Sequence, residues 1–218
     1  MKQVNIFTVI LALLGMSAIS FTVVEKQAKA GEMTIVTQKK NISISLQGSG
    51  AATIDWGDGT RKEKVKLSPD DFSTHTFKYT GKVEKRTITI TGDDVTALNC
   101  SYNQLTNLNV HKNEALINLN CGDNQLTSLD VSKNLALKVL RCRNNQLKSL
   151  DVSANVTLNN LRIQSNQFDT NDLNALFRSL PKGKGKKTVA ILGNPGINTC
   201  NRSLAEKKGW TIDDERGF

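Results

Sequence analysis

Histidine, aromatic residues and cysteine are scarce in this chain of 218 residues, and each scarcity disfavours a class of function. Two histidines, His75 and His111, limit histidine-based catalysis. The basic runs at 61–66 and 181–187 lack the interleaved aromatic residues of a nucleic-acid surface, so no nucleic-acid partner is predicted. The four cysteines include no C-x2-C pair and have no histidine beside them, so the sequence predicts no metal site and no cofactor.

The N-terminal region has the features of an export signal. Lys2 precedes the apolar run IFTVILALLGMSAISFTVV, and Ala28 and Ala30 form an A-x-A cleavage signal. Residues 1–30 are therefore predicted to be a signal peptide, with the mature chain starting at Gly31. The run is long for a signal peptide, and an uncleaved membrane anchor is the alternative. No later stretch approaches the roughly 20 apolar residues of a spanning helix, so no integral span is expected after cleavage.

The predicted mature chain is basic. Removing Lys2, Lys26, Lys29 and Glu25 from the 29 basic and 20 acidic residues leaves a net charge of +7. This balance is compatible with an anionic partner, and it equally suits a soluble protein that has none.

A repeat of 21 residues organises the middle of the chain. Its units are VTALNCSYNQLTNLNVHKNEA (95–115), LINLNCGDNQLTSLDVSKNLA (116–136) and LKVLRCRNNQLKSLDVSANVT (137–157), and a fourth begins LNNLRIQSNQF at 158. The L-x-C and L-x-V steps alternate as in a strand, and neither half-unit matches an amphipathic helix. One unit therefore predicts one coil, and stacked coils bury a shared apolar column.

Cysteine occupies one apolar position of this repeat. Cys100, Cys121 and Cys142 recur every 21 residues, and Ile163 takes the same place in the fourth unit. The exchange for isoleucine favours a packed thiol over a ligand. A disulfide is the alternative, because equivalent Cα atoms of adjacent coils lie about 4.8 Å apart. Parallel side chains keep the Cβ atoms too far apart for one, so we expect these three cysteines and Cys200 to be unpaired.

Polar residues mark the two turns of each coil. The asparagines at 103, 124, 145 and 166 are predicted to face inward and bond backbone groups that would otherwise lack partners. Asp130 and Asp151 are predicted to act similarly at the other turn. They stack along one edge instead of facing a cleft, so they are not expected to form a glycosidase pair.

The repeat changes after its fourth unit. The segment 170–181, TNDLNALFRSLP, has apolar residues at i, i+3, i+4 and i+7 from Leu173. This spacing predicts a helix that Thr170 caps and Pro181 stops. A second short helix is predicted over about 202–208, and the strand after it is expected to close the last apolar layer.

The pattern LxxLxCxxN followed by LxxLDVSxN resembles leucine-rich repeats, and its nested form is similar to short repeats of exported Bacteroidetes proteins. The resemblance covers 95–166 and implies a solenoid whose LxxLxLxxN segments form an inner sheet with an exposed ligand surface. Mapped onto this sequence, that surface predicts the ligand-binding residues Asn99, Tyr102, Asn120, Asp123, Arg141, Arg143, Arg162 and Gln164. Its three arginines suit carboxylate or sulfate partners.

The preceding residues, 32–91, have the alternation of a small antiparallel sandwich of about five to seven strands. IDWGDGT, with THTFKYTG downstream, resembles the PKD family of immunoglobulin-like domains found in surface proteins. Trp56 stands where that family usually has phenylalanine. Asp55 and Asp58 are expected to serve a hairpin turn, since their spacing matches no calcium loop.

Together these patterns predict a mainly β fold with three parts. They are a signal peptide (1–30), a PKD-like β-sandwich (31–93), and a leucine-rich-repeat solenoid (94–218) with helices in its C-terminal coils as an α/β cap. The resemblances imply a non-enzymatic binding module for a protein or glycan, anionic ligands included. We expect it to be secreted, periplasmic or cell-surface associated, with a role in adhesion. The alternatives are a structural or spacer component of a cell-envelope assembly and, less favoured, an enzyme, because nucleophile, base and metal ligands assemble in no motif.

Overall fold

The computed structural model describes residues 31–82, 84–183 and 185–214. The predicted signal peptide lies outside these residues. No helix in the described part of the chain combines the length and the apolar character needed to cross a membrane. That part contains thirteen strands and two short helices. The prediction of a mainly β protein is therefore confirmed.

Antiparallel strands form the N-terminal region. They are β1 (Glu32–Thr37), β2 (Asn41–Gly48), β3 (Ala51–Asp55), β4 (Glu63–Lys66), β5 (Ser73–Lys78) and β6 (Arg86–Thr91). In β2, Ile42, Ile44 and Leu46 are buried, while the serines between them are not. This alternation is the period of a strand that packs one face on a core, and it gives the strand its register.

Parallel strands form the repeat region, one for each coil. In chain order, the strands after β6 are β7 (Val95–Asn99), β8 (Asn107–Asn109), β9 (Asn118–Asn120), β10 (Val139–Arg141), β11 (Asn160–Arg162), β12 (Lys187–Ala190) and β13 (Trp210–Asp213). All except β8 pair in parallel, and Leu98, Leu119, Leu140 and Leu161 lie side by side. Equivalent repeat positions are thus stacked, with the leucines and the cysteine column turned into the core.

Sheet pairing continues from the antiparallel region into the coils. β2 pairs with β7, so one eight-stranded sheet runs β13-β12-β11-β10-β9-β7-β2-β5. β8 pairs with β1, so a five-stranded sheet runs β4-β3-β6-β1-β8. The buried apolar residues of both regions form one core cluster. The antiparallel strands therefore cover the first coil, whose open end would otherwise expose apolar side chains.

Helix α1 (Thr170–Ser179) lengthens the fourth coil and begins at a capping box. Asp169 Oδ1 accepts a hydrogen bond from the Asp172 N–H at 2.9 Å, and the Asp172 carboxylate accepts one from the Asp169 N–H at 3.0 Å. The prediction that Thr170 caps the helix is wrong by one residue, because Asp169 holds the extended cap position and its carboxylate reaches the third helical N–H.

The C-terminal end is closed by a tryptophan. Helix α2 (Ser203–Glu206) is shorter than the predicted 202–208 and leads into β13. Trp210 is 2% exposed, and its Nε1 donates to the Pro181 carbonyl at 2.9 Å. This residue closes the last apolar layer of the coils, as predicted.

Candidate functional site

Inward-facing asparagines join each coil to the one before it. Asn145 Nδ2 donates to the carbonyls of Cys121 and Cys142 at 3.0 and 3.1 Å, and its Oδ1 accepts from the Leu126 N–H at 2.9 Å. Corresponding bonds are made by Asn103, Asn124, Asn166 and Asn194. The predicted inward role is confirmed. We call these residues the first asparagine ladder.

The other turn of the first three coils has a second asparagine ladder, formed by Asn113, Asn134 and Asn155. Asn134 Nδ2 donates to two carbonyls of the preceding coil at 2.9 and 2.6 Å, and Asn155 repeats this contact one coil later. The prediction that Asp130 and Asp151 bond backbone groups at this turn is confirmed, but the prediction that they do so from the interior, as the asparagines do, is wrong. Both are exposed and accept from the backbone N–H two residues on, because their column faces solvent at this turn.

The cysteine column is a buried, unpaired part of the core. Cys100, Cys121 and Cys142 are fully buried, Cys200 is half-buried, and all four are free thiols, as predicted. Burial raises the pKa of the Cys121 thiol to about 12 and holds the pKa values of Cys100 and Cys142 well above the usual range. Thiols that stay protonated are poor nucleophiles and poor metal ligands.

The aspartates of IDWGDGT stabilise a turn. Asp55 Oδ1 accepts from the Gly57 N–H at 3.0 Å, and Asp58 Oδ1 accepts from the Thr60 N–H at 3.1 Å. Among the described residues, no group of three or more histidine, cysteine, aspartate or glutamate side chains is placed to hold a metal ion. These aspartates therefore have a structural role at the hairpin.

The outward side of the eight-stranded sheet carries the residues predicted to bind a ligand. Pairing in register places Asn99, Asn120, Arg141 and Arg162 in one row across four strands, about 4.8 Å apart from one strand to the next. We call the surface the arginine face, and its members are Asn99, Tyr102, Asn120, Asp123, Arg141, Arg143, Arg162 and Gln164.

Arg143 is held on this face by residues of the two preceding coils. Its Nε lies 3.5 Å from Asp123 Oδ2, and its Nη2 lies 3.4 Å from the Tyr102 hydroxyl. Asn144 donates to Asp123 Oδ1 at 2.6 Å. Gly122 is buried beneath Arg143, where a Cβ atom would lie 3.2 Å from Arg143 Cγ. The charge of Arg143 is thus partly neutralised within the protein.

Arg141 and Arg162, by contrast, lie side by side without an acidic partner among the described residues. They are opposite each other on β10 and β11, and neither takes part in an ion pair or side-chain hydrogen bond with the described residues. Burial first, and then the neighbouring charge of Arg162, lowers the pKa of the Arg141 guanidinium from its usual value. This part of the arginine face therefore carries unbalanced positive charge.

The edge of the arginine face follows a column of residues with left-handed backbone. These are Tyr102, Asp123, Asn144, Ser165 and Gly193, with φ of 60°, 57°, 50°, 52° and 76°. Glycine, asparagine and aspartate adopt this conformation readily, and tyrosine less so. The Tyr102 carbonyl accepts from Lys39 Nζ, while its side chain is 58% exposed. The backbone therefore presents an aromatic ring at a fixed place beside the arginines.

A hydrogen-bonded chain of Ser73, His75 and Glu63 was not predicted from the sequence. His75 Nδ1 lies 2.6 Å from Glu63 Oε1, and His75 Nε2 lies 2.7 Å from Ser73 Oγ. Glu63 Oε2 accepts from Trp56 Nε1 at 3.0 Å. Because β4 and β5 belong to different sheets, the chain ties the two sheets together at their edge. In the sequence, the Ser-x-His spacing was the only indication of this chain, because it places Ser73 and His75 on one face of β5. Glu63 is brought to His75 only by the fold.

No family model matches the chain, and neither does any curated protein. Among solved structures, the functional domain of InlJ from Listeria monocytogenes, described as including a cysteine ladder, is similar at 30% identity with a TM-score of 0.43. The similarity covers 52% of this chain and 24% of that chain. The chain thus matches about a quarter of the length of that structure.

Proposed function

We propose that the protein is an exported, non-enzymatic binding module of the leucine-rich-repeat type, which recognises a protein or a glycan through the arginine face. The contrast between the two sides of the eight-stranded sheet carries this proposal. The inner side repeats the same leucine and asparagine contacts from coil to coil, with cysteine or, in the fourth coil, isoleucine beside them. On the outer side, the row changes from asparagine at 99 and 120 to arginine at 141 and 162, and the two arginine side chains make no ion pair or hydrogen bond with the described residues.

The antiparallel region, 31–93, is proposed to be a PKD-like module, and the coils from 94 onward to be the leucine-rich-repeat part. Packing of the two motif segments supports this. Trp56 of IDWGDGT stacks on Phe77 with ring centroids 5.2 Å apart, and Phe77 meets Tyr79 at 4.8 Å. The Tyr79 hydroxyl donates to the Trp56 carbonyl. With residues 1–30 as the signal peptide, such a protein would act outside the cytoplasm, in secreted or cell-surface adhesion.

The proposal is tested by screening the purified protein against a glycan array and a panel of extracellular proteins. The test variant is Arg141→Glu/Arg143→Glu, and the matched control is Lys133→Glu/Lys148→Glu, which makes the same charge change at exposed positions of the other half of the coils. We expect the test variant to lose the ligand and the control to keep it. Unchanged binding by the test variant would show that the arginine face is not the binding surface.

A structural or spacer role in a cell-envelope assembly is the second candidate, and the continuity of both sheets through the two regions favours it. This role predicts no specific ligand on either panel, together with recovery of the protein in an envelope complex. An enzyme would be revealed by turnover of polysaccharide or peptide substrates, which we do not expect.

A further inference from the structure

Arg141 and Arg162 form a pair of cations at the spacing of adjacent strands, with their outward side half-exposed. Two guanidinium groups this close repel each other unless an anion lies between them. A carboxylate or sulfate can accept charge-assisted hydrogen bonds from both planar forks, and it relieves the repulsion at the same time. Since no acidic side chain of the described residues supplies this anion, the pair is suited to one from outside.

Two amides beside Arg162 are also left incomplete by the fold. Asn160 and Gln164 lie two residues before and after it, so the alternation of an extended chain places all three side chains on one side. Asn160 Oδ1 and Gln164 Oε1 are buried without a hydrogen-bond partner among the described residues. The side-chain nitrogens of both residues also make no hydrogen bond with the described residues, but they are not buried in this way, and both residues are half-exposed. These nitrogens can therefore donate to hydroxyl groups of a ligand.

The scarcity of apolar side chains on the arginine face disfavours a protein partner. Protein interfaces are anchored by buried aromatic and aliphatic side chains. The large exposed hydrophobic residues of the described chain are Phe72, Tyr102, Leu135 and Val156. Of these, only Tyr102 lies on the arginine face, and its position at the edge suits stacking against one sugar ring.

We infer that the ligand of the arginine face is an acidic polysaccharide, with one of its carboxylate or sulfate groups bound across Arg141 and Arg162 and its hydroxyl groups bonded to Asn160 and Gln164. The inference rests on the proposed function and adds the chemical class of the ligand. It requires a ligand that is both anionic and rich in hydroxyl groups, which matches the two kinds of unpartnered group that the coils bring together.

Calorimetry with four probes tests the inference. The probes are a heparin hexasaccharide, a polygalacturonate oligomer of similar length, neutral dextran and poly-glutamate. The variants are Arg141→Ala/Arg162→Ala and Arg141→Lys/Arg162→Lys. A control, Lys148→Ala/Arg178→Ala, removes the same charge at exposed positions away from the face. The sulfated and carboxylated oligosaccharides separate the two sources of the anion.

We expect at least one acidic oligosaccharide to bind, with dextran and poly-glutamate bound more weakly. The alanine variant should weaken binding about tenfold or more, the lysine variant by less, and the control by less than about twofold. Circular dichroism should show all variants folded, because the side chains of Arg141 and Arg162 make no ion pair or hydrogen bond with the described residues.

Three outcomes would overturn the inference. The first is an equal loss of affinity in the alanine variant and the control, which would indicate general charge attraction. The second is that poly-glutamate binds as tightly as the best oligosaccharide. The third is that neither acidic oligosaccharide binds. If the array or protein panel still gives a ligand that Arg141→Glu/Arg143→Glu abolishes, the proposed function stands and only the ligand class is wrong.

Discussion

Replacing Asn145 with alanine should destabilise the protein more than replacing Asn134, although both are buried amides of neighbouring turns. Asn145→Ala removes the acceptor of the Leu126 N–H, a bond of 2.9 Å in the interior. It also removes two donor hydrogens, which bond to the carbonyls of Cys121 and Cys142 and are shared with the Arg143 carbonyl at 3.2 Å. The two cysteine carbonyls keep a second amide donor from the adjacent rungs of the ladder, at 3.0 and 2.9 Å.

The magnitude follows from counting the groups that lose partners. An unsatisfied buried N–H costs roughly 2 kcal/mol, and each of the two lost donor bonds contributes about 1 kcal/mol. Asn145→Ala should therefore lower the free energy of unfolding by about 4 kcal/mol. The Asn134 Oδ1 has no partner among the described residues, so its removal offsets part of the loss of the two donor bonds. The Asn113 carbonyl loses the one hydrogen bond that the described residues give it, so Asn134→Ala should still cost about 2 kcal/mol.

Urea unfolding followed by circular dichroism measures this difference. With equal slopes, the midpoint of Asn145→Ala should fall well below that of Asn134→Ala, and both should fall below that of the unmodified protein. If Asn134→Ala lowers the free energy of unfolding as much as Asn145→Ala does, the hydrogen bond to the amide oxygen does not explain a difference between the two ladders. That result would refute this prediction.

Three further results are expected. In denaturant without reductant, thiol titration should count four free thiols, and a count below four would contradict the unpaired cysteine column. In the native state at pH 8, Cys100, Cys121 and Cys142 should react slowly, because burial holds their pKa values above this pH. Gly196→Ala should lower the free energy of unfolding by about 1–3 kcal/mol, because a Cβ atom there collides with the backbone of Asp169 and Thr170. Gly81→Ala is the control and should change the free energy of unfolding little, because the space around Gly81 is open. Equal losses in the two variants would contradict this packing. Ser73→Ala should lower the free energy of unfolding by about 1 kcal/mol, because it removes the hydrogen bond to His75. A fluorophosphonate probe should not label Ser73. Labelling would show that Ser73 is a nucleophile and not only a link between the two sheets.

The periodicity of the repeat was enough to predict stacked coils, and the resemblance to leucine-rich repeats indicated which positions form the row of the arginine face. A spacing of 21 aligns Leu98 with Leu119 and Arg141 with Arg162, because in-register parallel strands place equivalent residues side by side. The exchange of cysteine for Ile163 likewise revealed which column faces the core. The stacking and the core column follow from the period and the polarity of each position, and both are visible in the sequence.

Contacts between different coils and different sheets were not visible in this way. Whether Arg143 or Arg141 is neutralised depends on the diagonal approach of Asp123 from the preceding coil, which the period does not specify. At the second turn, Asn134 faces inward and Asp130 faces solvent. The backbone conformation of the turn decides which of these two residues points inward, and the sequence motif DVSxN does not show it. Glu63 meets His75 only because two separate sheets share an edge.

The asparagine ladders would allow coils to be added or removed. Each rung bonds only to its own coil and an adjacent one, so a duplicated unit inserted between residues 136 and 137 would find every backbone partner already in place. The two ends cannot be multiplied in this manner, because Asn103 bonds to Ser43 of β2 and Trp210 covers the last layer. Gene segments that encode whole units could therefore lengthen or shorten the ligand surface in steps of about 4.8 Å without any new interior chemistry.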